Sequence, residues 1–227
     1  MATQEATIQV PHAGPAHERR AIARSALRVF AREGWQRSDT EAVAAEAGVD
    51  ASTVRRYYKD KEQLFLGVLL ESTASVSAAL TAIAERHLTR ITDLEPDLIA
   101  FGLAWQSPIA DYPDHFALVR RISAEVSVLP QIVMEIWQNA GPRPARRELA
   151  RHLQRLSEEG VLAIEDGDAD LAAGRFILLT STGIVQRTFH GTVPLGDREI
   201  EQHITDGVRD FLSLYRPADR PSPDASA

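Results

Sequence analysis

The chain has 227 residues, 44% of them hydrophobic, no cysteine and a formal net charge of −7. That length can bury one large core, or a small domain joined to a bigger one. The missing cysteine excludes disulfide frameworks, zinc–thiolate centres and cysteine nucleophiles.

Residues 1–15 are polar and carry Pro11, Gly14 and Pro15, which reads as a loose tail. They lack the charged start and apolar centre of a signal peptide, and no apolar run approaches the roughly 20 residues that span a bilayer. A soluble, cytoplasmic protein is therefore expected. The first helix is predicted over about Ala16 to Glu33, with Ile22, Ala23, Ala26, Leu27 and Phe30 as its apolar stripe. Gly34 stands where a left-handed residue would end it, and Trp35 where an aromatic would fold back on Phe30. Ser38 and Glu41 have the spacing of a capping box for a short second helix that ends at Ala47. After Gly48, a third helix is expected from Ala51 to Tyr58 with Asp50 as its cap. A long fourth helix then starts behind Asp60, with Gln63 at its third position. Five further helical segments are predicted near 93–110, 114–127, 130–160 with a break at Gly141-Pro142, 168–190 and 197–215. A second loose tail follows at 216–227.

The net charge is unevenly spread. Residues 16–65 hold ten Lys+Arg against eight Asp+Glu, a balance of +2, which leaves −9 for the rest. Such asymmetry suits a small head that meets a polyanion on an acidic body. Within that head, Thr40 to Tyr58 has the requirements of a helix-turn-helix. Ala44 is small where two helices cross, and Gly48 tolerates the positive φ of the turn. Val43, Ala47, Val49 and Val54 can seat the second helix. Ala51, Ser52, Thr53, Arg55 and Arg56 are left to face a major groove. Two adjacent tyrosines on a helix point about 100° apart, so one of Tyr57 and Tyr58 turns in and the other out. Lys61 opposes the helix dipole at the start of its helix, a placement that a phosphate partner would explain.

The stretch from Arg20 to Leu69 resembles the N-terminal domain of tetracycline-repressor (TetR) family regulators. The matching segments are AIARSALRVFAREGW, SDTEAVAAEAGV and STVRRYYKDKEQLF. The resemblance implies an all-α protein of about nine helices: a three-helix DNA-binding domain at 16–65, and a larger ligand-binding and dimerisation domain at 66–215. It implies that Ser38, Thr53, Tyr57 and Lys61 contact DNA, chiefly phosphates, and that Tyr58 packs the core. Together with the motif, the expected DNA-binding set is Ser38, Thr40, Ala51, Ser52, Thr53, Arg55, Arg56, Tyr57 and Lys61. Asp39, Asp50, Ala51 and Arg55 depart from the usual family residues and bear on sequence preference.

In the body, Phe101, Trp105, Phe116, Met134, Trp137 and Phe176 can line a cavity, with Gln106, His115 and Arg120 to orient a small, mostly apolar effector. The same residues can equally be plain core. Small residues Ala172, Ala173, Thr180 and Gly183 and the stripe Ile200, Ile204, Val208, Phe211, Leu212 and Tyr215 suggest a homodimer through 168–215, although the stripe can also pack within one chain. The histidines show no metal-ligand spacing, and no nucleophile elbow or phosphate loop is present. The expectation is a dimeric repressor of double-stranded DNA, without cofactor, metal, membrane or catalytic residues. The alternatives are a helical protein-binding adaptor and a DNA binder that needs no inducer.

Overall fold

The computed structural model describes residues 15–217. The expected tails at 1–15 and 216–227 therefore lie almost wholly outside the described residues. Among the described residues all regular structure is helical. Three helices form the head: α1 (Pro15–Arg37), α2 (Thr40–Ala47) and α3 (Ala51–Tyr57). The fourth, α4 (Lys61–Leu88), has 28 residues and so spans about 42 Å, reaching from the head into the body. The body adds α5 (Leu94–Ala104), α6 (Pro108–Asp111), α7 (Pro113–Glu125), α8 (Gln131–Ala140) and α9 (Pro142–Glu158). It ends with α10 (Ala169–Ile177), which runs through a π turn (Leu178–Thr182) into α11 (Gly183–Arg187), and with α12 (Asp197–Tyr215). All five expected body segments are found. Two are subdivided, at Trp105–Ser107 and at Gly141-Pro142, where proline begins the next helix.

Local signals set most ends in the head. Gly34 breaks the helical geometry of α1 at φ 82°, ψ −179°. Gly48 adopts φ 68° and closes α2 by donating its backbone N–H to the Ala44 and Ala45 carbonyls. Asp60 Oδ1 accepts from the Gln63 N–H at 2.8 Å, while Gln63 Oε1 accepts from the Lys59 N–H at 2.6 Å, so α4 is capped in both directions. One expectation is corrected. The cap of α2 is Asp39, whose Oδ1 accepts from the Ala42 N–H at 2.7 Å. Ser38 is buried, and its hydroxyl donates back to the Gly34 carbonyl at 2.7 Å. The break at Gly34 frees that carbonyl, and the serine satisfies it.

Two cores result. The head core joins Ile22, Phe30, Val43, Val54, Tyr58 and Phe65 to Leu118, Ile122 and Val133 of α7 and α8. The body core runs along an aromatic chain: Phe101 lies 5.3 Å from both Trp105 and Phe176, Phe176 lies 5.2 Å from Phe211, and Phe211 lies 4.8 Å from Tyr215. α4 feeds both cores, with Leu64, Phe65, Val68 and Leu69 at one end and Ala84 and Leu88 at the other. It is also long and apolar enough to cross a membrane by length and composition, and these packed residues account for that hydrophobicity.

The apolar stripe of α12 faces inward. Ile204, Val208, Phe211, Leu212 and Tyr215 are buried within the chain, as are Ala172, Ala173 and Thr180. Gly207 lets α12 ride directly on the Leu179 backbone, and a Cβ at Gly183 would meet the His203 ring at 2.8 Å. The small residues thus bring α12 against its own chain. The outer side carries other apolar groups: Leu171, Leu178 and Leu214 are 47%, 61% and 58% exposed.

Candidate nucleic-acid interface

The second helix of the motif, α3, is fixed from below. Val54 and Tyr58 are buried in the head core, and Val43 and Ala44 of α2 are buried with them. Ser52, Arg55 and Arg56 are left exposed, with Ala51 and Thr53 half-buried at the edge of the same face. Tyr57 and Tyr58 divide as their 100° offset requires: Tyr58 enters the core, and the Tyr57 hydroxyl points outward. A helix with its apolar side seated and its polar side free is the geometry that a major groove accepts.

The exposed basic groups rest on nearby acids. Arg55 pairs with Glu41 of α2. Arg56 pairs with Glu18 at 2.7 Å, and the Tyr57 hydroxyl donates to the same Glu18 carboxylate at 2.5 Å. Those two donors, together with the Arg56 charge, hold the Glu18 carboxyl below its ordinary range, the tyrosine hydrogen bond contributing most. The Glu18 carboxylate thus holds an arginine and a tyrosine donor on the same face. Lys61 opens α4 with its ammonium 4.6 Å from the Trp35 ring centroid. Burial pushes that ammonium below its usual range, against the nearby charges of Asp39 and Glu125. Thr40 is half-buried at the first position of α2. Ser38, expected among the DNA contacts, is turned inward.

Two residues of α7 hold the head from behind. Arg121 donates to the Arg32 carbonyl at 2.7 Å and to the Ala31 carbonyl at 3.4 Å. Glu125 Oε2 accepts the Trp35 and Gln36 N–H groups at 2.8 and 3.2 Å. Its carboxylate lies against Gly34, where any Cβ would collide with it. The body thereby grips the end of α1 just before the motif begins. Nothing in the local sequence announces Glu18, Arg121 or Glu125, because their partners lie 38 to 90 residues away.

The residues expected to line an effector cavity fall into separate places. Phe101, Trp105 and Phe176 are packed against one another in the body core, while Met134 and Trp137 border the head core. Gln106 donates to Ser181 Oγ at 2.7 Å, and Arg120 to the His190 carbonyl at 2.7 Å. Phe116 stands edge-on to His115, 5.2 Å between centroids. His115 is buried, with Nδ1 3.3 Å from Ser72 Oγ, and burial pushes its imidazole down to about 4. It borders a groove of about 400 Å³ between α1, α4 and the α6–α7 turn.

Folding also assembles a grouping that the sequence spacing did not suggest. Glu85 of α4 and Glu148 and His152 of α9 bring ligand-type atoms within 4.8 Å of one another. Arg151 already spans it, 2.7 Å from Glu85 and 2.6 Å from Glu148. That guanidinium neutralises the carboxylates a cation would need.

Comparison with known proteins agrees with this architecture. Residues 22–68 match the family model for bacterial regulatory proteins of the tetR family. Residues 96–217, more than half the chain, match the C-terminal domain of AefR-like transcriptional repressors. No curated protein matches. Among solved structures, a TetR-family transcriptional regulator from Mesorhizobium loti has 24% identity and a TM-score of 0.80, covering 90% of this chain and 100% of its own. The flavonoid-responsive regulator FrrA has 24% identity and a TM-score of 0.68, covering 89% and 98%. The fatty acid degradation regulator FadR from Bacillus halodurans has 18% identity and a TM-score of 0.63, covering 88% and 97%. With both halves matched by the family's models and the motif presented on a seated helix, the chain belongs to the TetR family of transcriptional regulators.

Proposed function

We propose that the protein is a homodimeric repressor that acts in the cytoplasm, holds a palindromic operator with two copies of α3, and releases it on binding a small, mostly apolar effector. The observation that carries this reading is the outward face of α3. Ser52, Arg55 and Arg56 stand exposed on a helix whose other side is locked into the head core. Serine and arginine at such positions reach base edges, while Arg56, Tyr57 and Lys61 suit phosphates. Dimerisation is assigned to the outer side of α10–α12, where Leu171, Leu178 and Leu214 are exposed. A two-fold axis there would make the contact self-complementary. Support for a small apolar effector comes from two structural neighbours, one named for its response to flavonoids and one for regulating fatty acid degradation.

Selection from random duplex DNA, with light scattering on the same preparation, tests this reading. A dimer should enrich a palindrome whose half-sites lie about 34–36 Å apart or a multiple of that distance. A monomer that enriches no palindrome overturns the proposal.

A further inference from the structure

The two arginines of α3 are drawn to opposite flanks. Neighbouring residues on a helix point about 100° apart, and this offset sends Arg56 toward Glu18 of α1 and Arg55 toward Glu41 of α2. Glu18 also holds the Tyr57 hydroxyl. Among the described residues, Arg55 is the only side chain that Glu41 holds. The Arg55 and Glu41 side chains stay 54% and 60% exposed, and an ion pair this exposed adds little to stability. Nor does Glu41 start its helix, since Asp39 caps α2. Its place is what matters. Glu41 is the second residue of α2 and Arg55 the fifth of α3, one turn beyond the exposed Ser52. The pair therefore ties the two helices of the motif together on the outward face. We infer that Glu41 is a specificity-determining residue, and that Glu41 and Arg55 together read one G·C base pair in each half-site. The inference rests on the regulator reading above and gives that reading a base preference.

The chemistry of the pair selects the base. In the major groove guanine offers two acceptors, N7 and O6, and its cytosine partner offers the N4 amino donor beside them. The guanidinium of Arg55 is a planar fork of donors that fits N7 and O6 in parallel. The ionised carboxylate of Glu41 only accepts, and so fits the cytosine amino group. An arginine in contact with a glutamate thus answers the acceptor, acceptor, donor order of one G·C pair. An A·T pair breaks the match twice. The adenine amino group meets the guanidinium donor against donor, and thymine O4 meets the carboxylate acceptor against acceptor. Opposite such a pair the carboxylate would give up its water and gain no partner.

The contact also prepares Arg55 before DNA arrives. Fixing a long side chain costs rotamer freedom, and a fork already held in place loses less of it on binding. Ala51 and Ser52, one turn before Arg55, are short and let α3 approach the base edges closely. Arg56 has no such role, because its acid lies on α1, away from the second helix of the motif.

The test uses the full-length protein and the palindrome enriched from random DNA, with affinity measured for every single-base variant of a half-site. The wild type should prefer G·C over the other pairs at one position of each half-site by about 5- to 150-fold. Glu41→Ala should cut that preference by at least about threefold. It should bind the A·T variant as tightly as the wild type does, or more tightly, because a negative charge beside the phosphates is gone. Glu41→Gln keeps one acceptor oxygen and should keep part of the preference. In the double variant Glu41→Ala/Arg55→Ala the two losses should not add, since each residue needs the other. A Glu41→Ala protein weakened equally on all sequences would show a merely structural role. One strengthened equally on all sequences would show that Glu41 only screens Arg55. Either result overturns the inference, and so does a half-site with no G·C preference that depends on these two residues. In those cases the enriched palindrome leaves the regulator reading standing. If no palindrome is enriched, the regulator reading falls and this inference falls with it.

Discussion

The head and the body are held together by different means. In the head, short helices are stopped and started by adjacent side chains: Asp39 on Ala42, Asp60 on Gln63, Gly48 in the left-handed turn. In the body, α5 to α11 begin without a side-chain cap hydrogen bond, and their positions are set by a chain of touching rings from Trp105 through Phe101, Phe176 and Phe211 to Tyr215. The ends of the head helices are therefore set mostly by neighbours in sequence, although their core also takes Leu118, Ile122 and Val133 from α7 and α8. The body is specified by packing, and its shape depends on every large residue in the row.

The strongest break of this contrast is Phe176→Ala. Phe176 touches two rings and is fully buried, so its loss should cost about 3–5 kcal/mol, read by chemical denaturation. The body transition should move while isolated operator contacts in the head keep their pattern. Next comes acid. His115 is neutral in the fold because burial holds it down to about 4, whereas the unfolded chain binds a proton near 6.5. Stability should therefore fall as pH drops from about 6.5 toward 4, by at most about 3 kcal/mol from this residue. His115→Asn should flatten that part of the profile, and an unchanged slope would show that the imidazole is not shielded. Smaller again, Asp39→Ala removes one cap and should cost about 1 kcal/mol, appearing in hydrogen exchange of α2 before that of any body helix. The smallest effect is Glu18→Gln. It weakens the carboxylate hold on Arg56 and Tyr57, and should tighten DNA binding about two- to threefold with a steeper salt dependence, because two donors become free for phosphate.

The same contrast governs what could be read in advance. The start of α4, the turn at Gly48 and the division of Tyr57 from Tyr58 follow from neighbours in sequence and appear as expected, whereas Asp50 stands before α3 without the side-chain cap hydrogen bond expected of it, and α3 ends at Tyr57. Ser38 and Asp39 show the limit of that reading. Both residues suit a cap, and the break at Gly34 one turn earlier leaves a carbonyl that claims the serine. In α12 an apolar stripe was equally suited to a partner chain or to its own body. The close approach at Gly207 settles it inward, leaving Leu171, Leu178 and Leu214 outside. The aromatic residues of the body carry no sign of whether they line a space or fill it. The groove at the head combines residues 20 to 115 across four elements, a grouping that no local pattern announces.

In the proposed function, the outward face of α3 reads DNA sequence while its flanks hold phosphate. The most direct test measures affinity for every single-base variant of the selected operator, for the wild type and for Arg55→Ala. Discrimination of about 1–3 kcal/mol should vanish in the variant at one position, or two adjacent ones, in each half-site, and remain elsewhere. A profile lowered uniformly at all positions, or left unchanged, would contradict it.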